Sequence, residues 1–127
     1  MDERYSRQSL FKPIGNQGQK NIEKTVVTVI GCGALGSSIV ETLVRAGVGE
    51  IHLVDRDYVE LSNLQRQQLF TEEDAAQMLP KVTAAEKRLK AIREDVRLYT
   101  YLDNLDAQLI EKLASASTLI MDATDNF

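Results

Sequence analysis

The stretch Thr25-Val26-Val27-Thr28-Val29-Ile30-Gly31-Cys32-Gly33-Ala34-Leu35-Gly36 decides the fold. Its first half is β-branched, as a strand buried on both faces should be. Its second half spaces glycines as Gly31-x-Gly33-x-x-Gly36. The first glycine permits a tight turn, the second lets backbone approach a phosphate or ribose, and the third lets helix and strand pack closely. Beyond it, Leu35, Ile39, Leu43 and Ala46 recur at helical spacing and predict a buried helix face. Gly47 and Gly49 stop that helix. Ile51-His52-Leu53-Val54 reads as a second strand closed by Asp55, whose carboxylate suits ribose hydroxyls.

The pattern continues on both sides. Residues 56–70 read as a functional loop with a short helical turn. Thr71 before Glu72, Glu73 and Asp74 is a capped helix start, and Pro80 fits the first turn of the next helix. That helix buries Val82, Ala85, Leu89 and Ile92 and turns Lys87, Arg88, Lys90 and Arg93 to water. Val96 to Tyr101 alternates like a third strand. Asp106 can cap a helix with Leu109, Ile110 and Leu113 inward, and Thr118 to Met121 forms a fourth strand ending at Asp122. Upstream, Arg4 to Gln8 is an arm or short helical turn, and Gly15 to Lys24 has weak helical character. The reading is an arm and helix over 1–24 and a Rossmann-like domain over 25–127. Its fold class is a doubly wound, mainly parallel α/β sheet of order 3-2-1-4, with helices on both faces, ending after the fourth strand.

Composition narrows the function. The chain has 127 residues, 43% hydrophobic and 27% charged, with a net charge of −4. An acidic pI near 5.0 argues against a non-specific nucleic-acid partner. The run Val26 to Gly36 is too short for a bilayer, which takes about 20 residues, so no membrane role is expected. The acidic start, with no apolar stretch behind it, does not resemble a secretory signal. A cytoplasmic protein is the expectation. Cys32 alone can form neither an internal disulfide nor a zinc cluster; inside the glycine turn it reads as a small buried hydrophobe. His52, among apolar strand neighbours, reads as a packed or edge residue.

The glycine loop with its following acid predicts a nucleotide site, but dinucleotide and adenylating enzymes both use this device. The segment Asp55 to Gln67 favours the second. It gathers Asn63, Arg66 and Gln67 beyond the strand ends, and a guanidinium with amides suits a polyphosphate better than a nicotinamide ring. Lys81 opens a helix from which it can reach a phosphate. Asp122 and Asp125 follow the fourth strand, where a carboxylate suits magnesium bound to phosphates. No P-loop sequence occurs. Asp57 fits a nucleotide role or the satisfaction of loop backbone equally. The alternative reading is the NAD-binding domain of an oxidoreductase or sensor.

These residues resemble the MoeB/ThiF/HesA family, similar to the nucleotide-binding half of ubiquitin-activating enzymes, with bacterial MoeB-type proteins the nearer likeness. The matching pieces are Arg4-Tyr5-Ser6-Arg7-Gln8, Gly31 to Gly36, Ala46-Gly47-Val48-Gly49, Asp55-x-Asp57, Ser62 to Gln67, Pro80-Lys81 and Asp122-Ala123-Thr124-Asp125-Asn126. The resemblance implies ATP-dependent adenylation of the Gly-Gly carboxylate of a ubiquitin-fold sulfur carrier, in molybdopterin or thiamine biosynthesis. It implies that Asp55 holds the ATP ribose and that Gly31, Gly33, Ala34 and Gly36 back the nucleotide. Many relatives have glycine where Ala34 stands, but the N–H is kept. Asn63, Arg66 and Lys81 would meet the phosphates, Asp125 would bind magnesium, and Asn126 would adjoin the nucleotide. Arg7 resembles an arginine that enters the partner subunit's site, which implies a homodimer. Relatives continue past the position of Phe127, often with Cys-x-x-Cys zinc ligands. The chain is therefore expected to be an N-terminal fragment, inactive alone, with zinc possible only in the part beyond it.

Overall fold

A computed structural model describes residues 3–103 and 106–124. Four strands form the framework: β1 (Val26–Ile30), β2 (Glu50–Asp55), β3 (Arg97–Leu102) and β4 (Leu119–Asp122). All pairings are parallel, in the order β3-β2-β1-β4. Among the described residues six α-helices accompany them. α1 (Ser6–Leu10) and α2 (Gly15–Lys24) precede the sheet. α3 (Ala34–Ala46) joins β1 to β2, α4 (Glu72–Ala76) and α5 (Lys81–Ile92) join β2 to β3, and α6 (Ala107–Ala116) leads to β4. This is the Rossmann-like topology expected from the sequence.

The register explains the burial. Val27 and Val29 on β1 lie opposite Ile51 and Leu53 on β2, and all four are fully buried. α3 packs on β1, α5 packs on β2 and β3, and the two helices touch each other. The other face carries Thr28, His52 and Tyr99 in one row. There α6 brings Lys112 over the Tyr101 ring, 6.0 Å from its centroid, and the Thr28 and Ser117 hydroxyls meet at 2.6 Å.

α3 corrects the expected face. Gly36, Ser37, Val40 and Val44 are its buried row, Ile39 and Leu43 pack only partly, and Leu35 is exposed. The helix lies so close to the sheet that small residues must face it. Pro80 is the residue before α5, not in its first turn, and its backbone forms a bridge with Tyr58. α4 starts as expected, with Thr71 and Asp74 capping each other. In α6 Leu113 is buried but Ile110 is exposed.

One side chain read as a surface group is structural, and one read as packed does more than pack. Arg93 is buried, and its guanidinium donates to the carbonyls of Val44 (2.7 Å) and Val48 (2.6 Å) at the end of α3. Truncating it would leave the Val48 carbonyl without this donor and the Val44 carbonyl with only the Gly47 N–H, 3.2 Å away. Arg93→Ala is expected to lower stability by about 3 kcal/mol, read as the urea midpoint; a change below about 0.5 kcal/mol would refute this capping role. His52 is packed, as expected, but also networked: its ring nitrogens lie 2.9 Å from both Glu50 Oε2 and the Tyr101 hydroxyl. The His52 hydrogen bond, helped by Arg97 and opposed by desolvation, holds the Glu50 carboxyl below its ordinary range.

Candidate functional site

The carboxyl ends of β1, β2 and β4 open into one cleft of about 650 Å³. Open α/β sheets place ligands at this edge, where the strand order reverses. Gly31, Gly33, Ala34, Asp55, Asp57, Asn63, Arg66, Gln67 and Lys81 all line it. The structure thus brings together nine of the residues singled out from sequence. Gly36 lies beneath, buried against the loop. Asp125 and Asn126 lie outside the described residues.

Each wall has a local cause. Gly31 has φ +98, and a Cβ there would sit 2.9 Å from the Ala123 carbonyl oxygen, so both conformation and space demand glycine. Gly33 differs. A Cβ there would meet nothing nearer than Gln67 Nε2 at 3.8 Å. Packing does not require glycine at 33. α3 begins one residue later, so its first-turn N–H groups face the cleft, and helix N-termini favour anions.

Asp55 is bound more tightly to the protein than a bare ribose acceptor. Its Oδ2 accepts from the Cys32 N–H and its Oδ1 from the Asp57 N–H, both at 2.7 Å. The carboxylate therefore ties the glycine loop to the following segment and fixes its own orientation. Asp57 anchors the far wall, its carbonyl accepting from the Lys81 N–H at 2.9 Å. Burial, reinforced by Asp55, pushes the Cys32 thiol up to about 12. A thiol that reluctant to ionise is no nucleophile, in keeping with a packing role.

The donors converge from the segment after β2. Asn63 is buried, and its Oδ1 accepts from the Glu60 N–H at 2.9 Å. That bond closes the turn Leu61–Asn63 and leaves the amide NH₂ as the end able to donate into the cleft. Arg66 is exposed and steadied by one bond to the Ser62 carbonyl, 2.9 Å. Lys81 is only 7% exposed. Among the described residues no hydrogen bond or ion pair holds its ammonium. Gln67 is buried, and among the described residues its Oε1 has no hydrogen-bond partner.

Two expected residues stand elsewhere. Asp122 is not on the wall; its Oδ1 accepts from the Thr124 N–H (3.0 Å) and hydroxyl (2.7 Å). The Thr124 hydroxyl and N–H hold its carboxyl below the ordinary range. Arg7 is exposed on α1, and α1 docks at the opposite end of α3 from the cleft. Gln8 Nε2 donates to the Ala46 carbonyl at 2.9 Å, and the Tyr5 ring packs on Gly47. The 13-residue length of α3 separates that end from the cleft by about 20 Å. Leu35, Tyr58, Glu60, Ala123 and Thr124 also line the cleft. Their signal was position alone: the first turn after the glycine loop, and the residues just past two strand ends. Among the described residues no group of three His, Cys, Asp or Glu side chains forms a metal cage. Magnesium does not need one, since one or two carboxylates plus phosphates commonly hold it. Asp57 and Glu60 give the cleft oxygen donors of that kind.

Fold and cleft together define an open α/β protein with a glycine-loop ligand site. The chain belongs to the ThiF family, whose model matches residues 5–127. It is 50% identical to the sulfur carrier protein ThiS adenylyltransferase of Bacillus subtilis, over 100% of this chain and 38% of that protein. It is 35% identical to the molybdopterin-synthase adenylyltransferase of Haemophilus influenzae, over 97% of this chain and 50% of that protein. Among solved structures, Escherichia coli MccB with ATP superposes with a TM-score of 0.76 at 29% identity, covering 88% of this chain and 35% of that one. The chain thus spans half or less of the length of these relatives. No described helix is long and apolar enough to cross a membrane.

Proposed function

We propose that this chain is the nucleotide-binding part of a cytoplasmic, ATP-dependent adenylyltransferase that activates the C-terminal carboxylate of a ubiquitin-fold sulfur carrier ending in Gly-Gly. The observation that carries the reading is the convergence of the Asn63 amide, the Arg66 guanidinium and the Lys81 ammonium on a cleft floored by the glycine loop and the start of α3. A triphosphate needs that many donors, whereas the pyrophosphate of NAD is served by the glycine loop and helix start alone, which weighs against the NAD reading. The higher identity to the ThiS enzyme supports a thiamine-type carrier.

A carboxylate oxygen of the carrier attacks the α-phosphorus of ATP. The bond from that phosphorus to the bridging oxygen breaks, and pyrophosphate leaves with the electron pair. The nucleophile is already ionised, so the protein supplies alignment and charge neutralisation. Asp55 orients the ribose, and the Gly33 and Ala34 backbone supports the α-phosphate. Asn63, Arg66 and Lys81 hold the phosphate oxygens. Asp125 would hold magnesium, which would supply neutralisation of phosphate charge, and Asn126 would adjoin the nucleotide.

Arg7 lies too far from its own cleft to serve it. A phosphate-binding role for Arg7 therefore requires a second subunit, and the exposed Leu10 and Phe11 beside it offer apolar contact surface. The test is complementation in the full-length protein. Arg7→Ala and Lys81→Met are each expected to abolish carrier-dependent ATP–pyrophosphate exchange. Mixed one to one with subunit exchange, they should recover about a quarter of wild-type activity, because half the dimers are hybrids with one intact site. No recovery would refute the shared site. Selective NAD binding by calorimetry, without ATP binding, would refute adenylation itself.

A further inference from the structure

Most acceptors of the inner cleft already take one backbone N–H. Both oxygens of Asp55 and the oxygen of Asn63 accept backbone N–H groups. What the wall still offers is a set of donors, in Lys81, Arg66, the Asn63 NH₂ and the start of α3, and the exposed carboxylates of Asp57 and Glu60. Gln67 stands apart. It is 4% exposed and lines the cleft, its Nε2 is the nearest atom to a Cβ placed on Gly33, and its Oε1 is an acceptor with no partner among the described residues. Buried acceptors without partners are rare and ask for a reason.

Phosphates and a carboxylate carry no proton at neutral pH, so neither can satisfy that oxygen. The reacting pair has donors in three other places: the adenine amino group, the ribose hydroxyls and the peptide N–H of the carrier's last residue; the adenine lies beyond the ribose from the α-phosphate. The ribose has the Asp55 carboxylate. Gln67 stands at Gly33, where the backbone is open to close approach and where the tail carboxylate must reach the α-phosphate. The N–H of the last residue is separated from that carboxyl carbon by one Cα, so it enters the same space. The terminal amide torsion of glutamine is soft and lets Oε1 turn toward it.

We propose that Gln67 positions the carrier tail, its side-chain oxygen accepting the N–H of the terminal residue while the carboxylate meets the α-phosphate. This rests on the adenylation reading above. The test uses the full-length protein, ATP–pyrophosphate exchange, and a Gly-Gly carrier beside the same carrier ending in Gly-sarcosine, whose last nitrogen is methylated and cannot donate. Gln67→Leu is expected to raise the KM for the Gly-Gly carrier about tenfold, with the KM for ATP and the ATP Kd within about twofold. The sarcosine tail should cost the wild type the same tenfold and the variant little more. A rise in the ATP Kd with an unmoved carrier KM would overturn the proposal in favour of the ribose. Equal sarcosine losses in both proteins would also overturn it. If the variant fails to fold, the wild type decides: sarcosine and glycine tails within twofold of each other would overturn it. A wild type that binds ATP yet exchanges with no Gly-Gly carrier would instead defeat the adenylation reading.

Discussion

Alanine at position 36 is expected to unfold the protein at ordinary temperature, while alanine at position 33 leaves it folded and spoils the site. A Cβ on Gly36 would overlap the carbonyl oxygen of Gly31 and approach the Ala123 Cβ at 3.5 Å. The obstructing oxygen is backbone, fixed by the turn that links β1 to α3. Relief requires lifting α3 off the sheet, and α3 carries Val40 and Val44, both fully buried. The loss should therefore exceed about 4 kcal/mol, at the high end of single substitutions and a large share of a domain's total stability. At Gly33 the nearest atom is the tip of a side chain at 3.8 Å and φ is −84, so the alanine fits. Gly33→Ala should melt within about 3 °C of wild type and bind ATP at least tenfold more weakly, because the methyl group occupies the approach to the backbone. Thermal melts and calorimetry on the two variants check this. A Gly36→Ala protein within 1 kcal/mol of wild type would refute the packing argument. A Gly33→Ala protein with full ATP affinity would refute the ligand argument.

The same contrast shows what was legible in the sequence. Strands, their order and the cleft followed from local patterns: β-branched runs, turn glycines and caps each act within a few residues. The choice of buried face on α3 did not. Hydrophobicity favoured Leu35, Ile39 and Leu43, but the close approach at Gly36 puts the small row of Ser37 and Val40 against the sheet. Arg93 is the clearest miss. Helical spacing placed it beside Lys87 and Arg88, and only the folded chain brings it to carbonyls on a helix nearly fifty residues earlier. Asp55 was legible as a site carboxylate but not as a tie between two loops, because one of its bonds crosses from β2 to the turn after β1. Arg7 could be singled out by resemblance alone. Its distance from its own cleft required knowing where Gln8 docks.

Lys81→Met is expected to stabilise the fold slightly and to reduce activity by two to three orders of magnitude. Lysine is almost never this buried without a partner, yet Lys81 is 7% exposed and its ammonium meets no bonded partner among the described residues. It is also the first residue of α5, where the positive end of the helix dipole opposes a cation. Both effects work against stability, and neither is relieved within the described fold. Methionine keeps the length and apolar stem, removes the charge and retains the backbone N–H that holds the Asp57 carbonyl. The melting temperature should stay level or rise by a few degrees. The cost appears where charge develops. Lys81 lines the cleft with Asn63 and Arg66, and removing one preorganised electrostatic contact to a leaving oxyanion costs about 10²–10³ in rate. Carrier-dependent ATP–pyrophosphate exchange measures the loss, and calorimetry shows how much of it lies in ATP binding. Stability and activity should therefore move in opposite directions. A Lys81→Met protein that loses several degrees of melting temperature would show that the lysine serves the fold. One that keeps full exchange would remove it from the phosphate site.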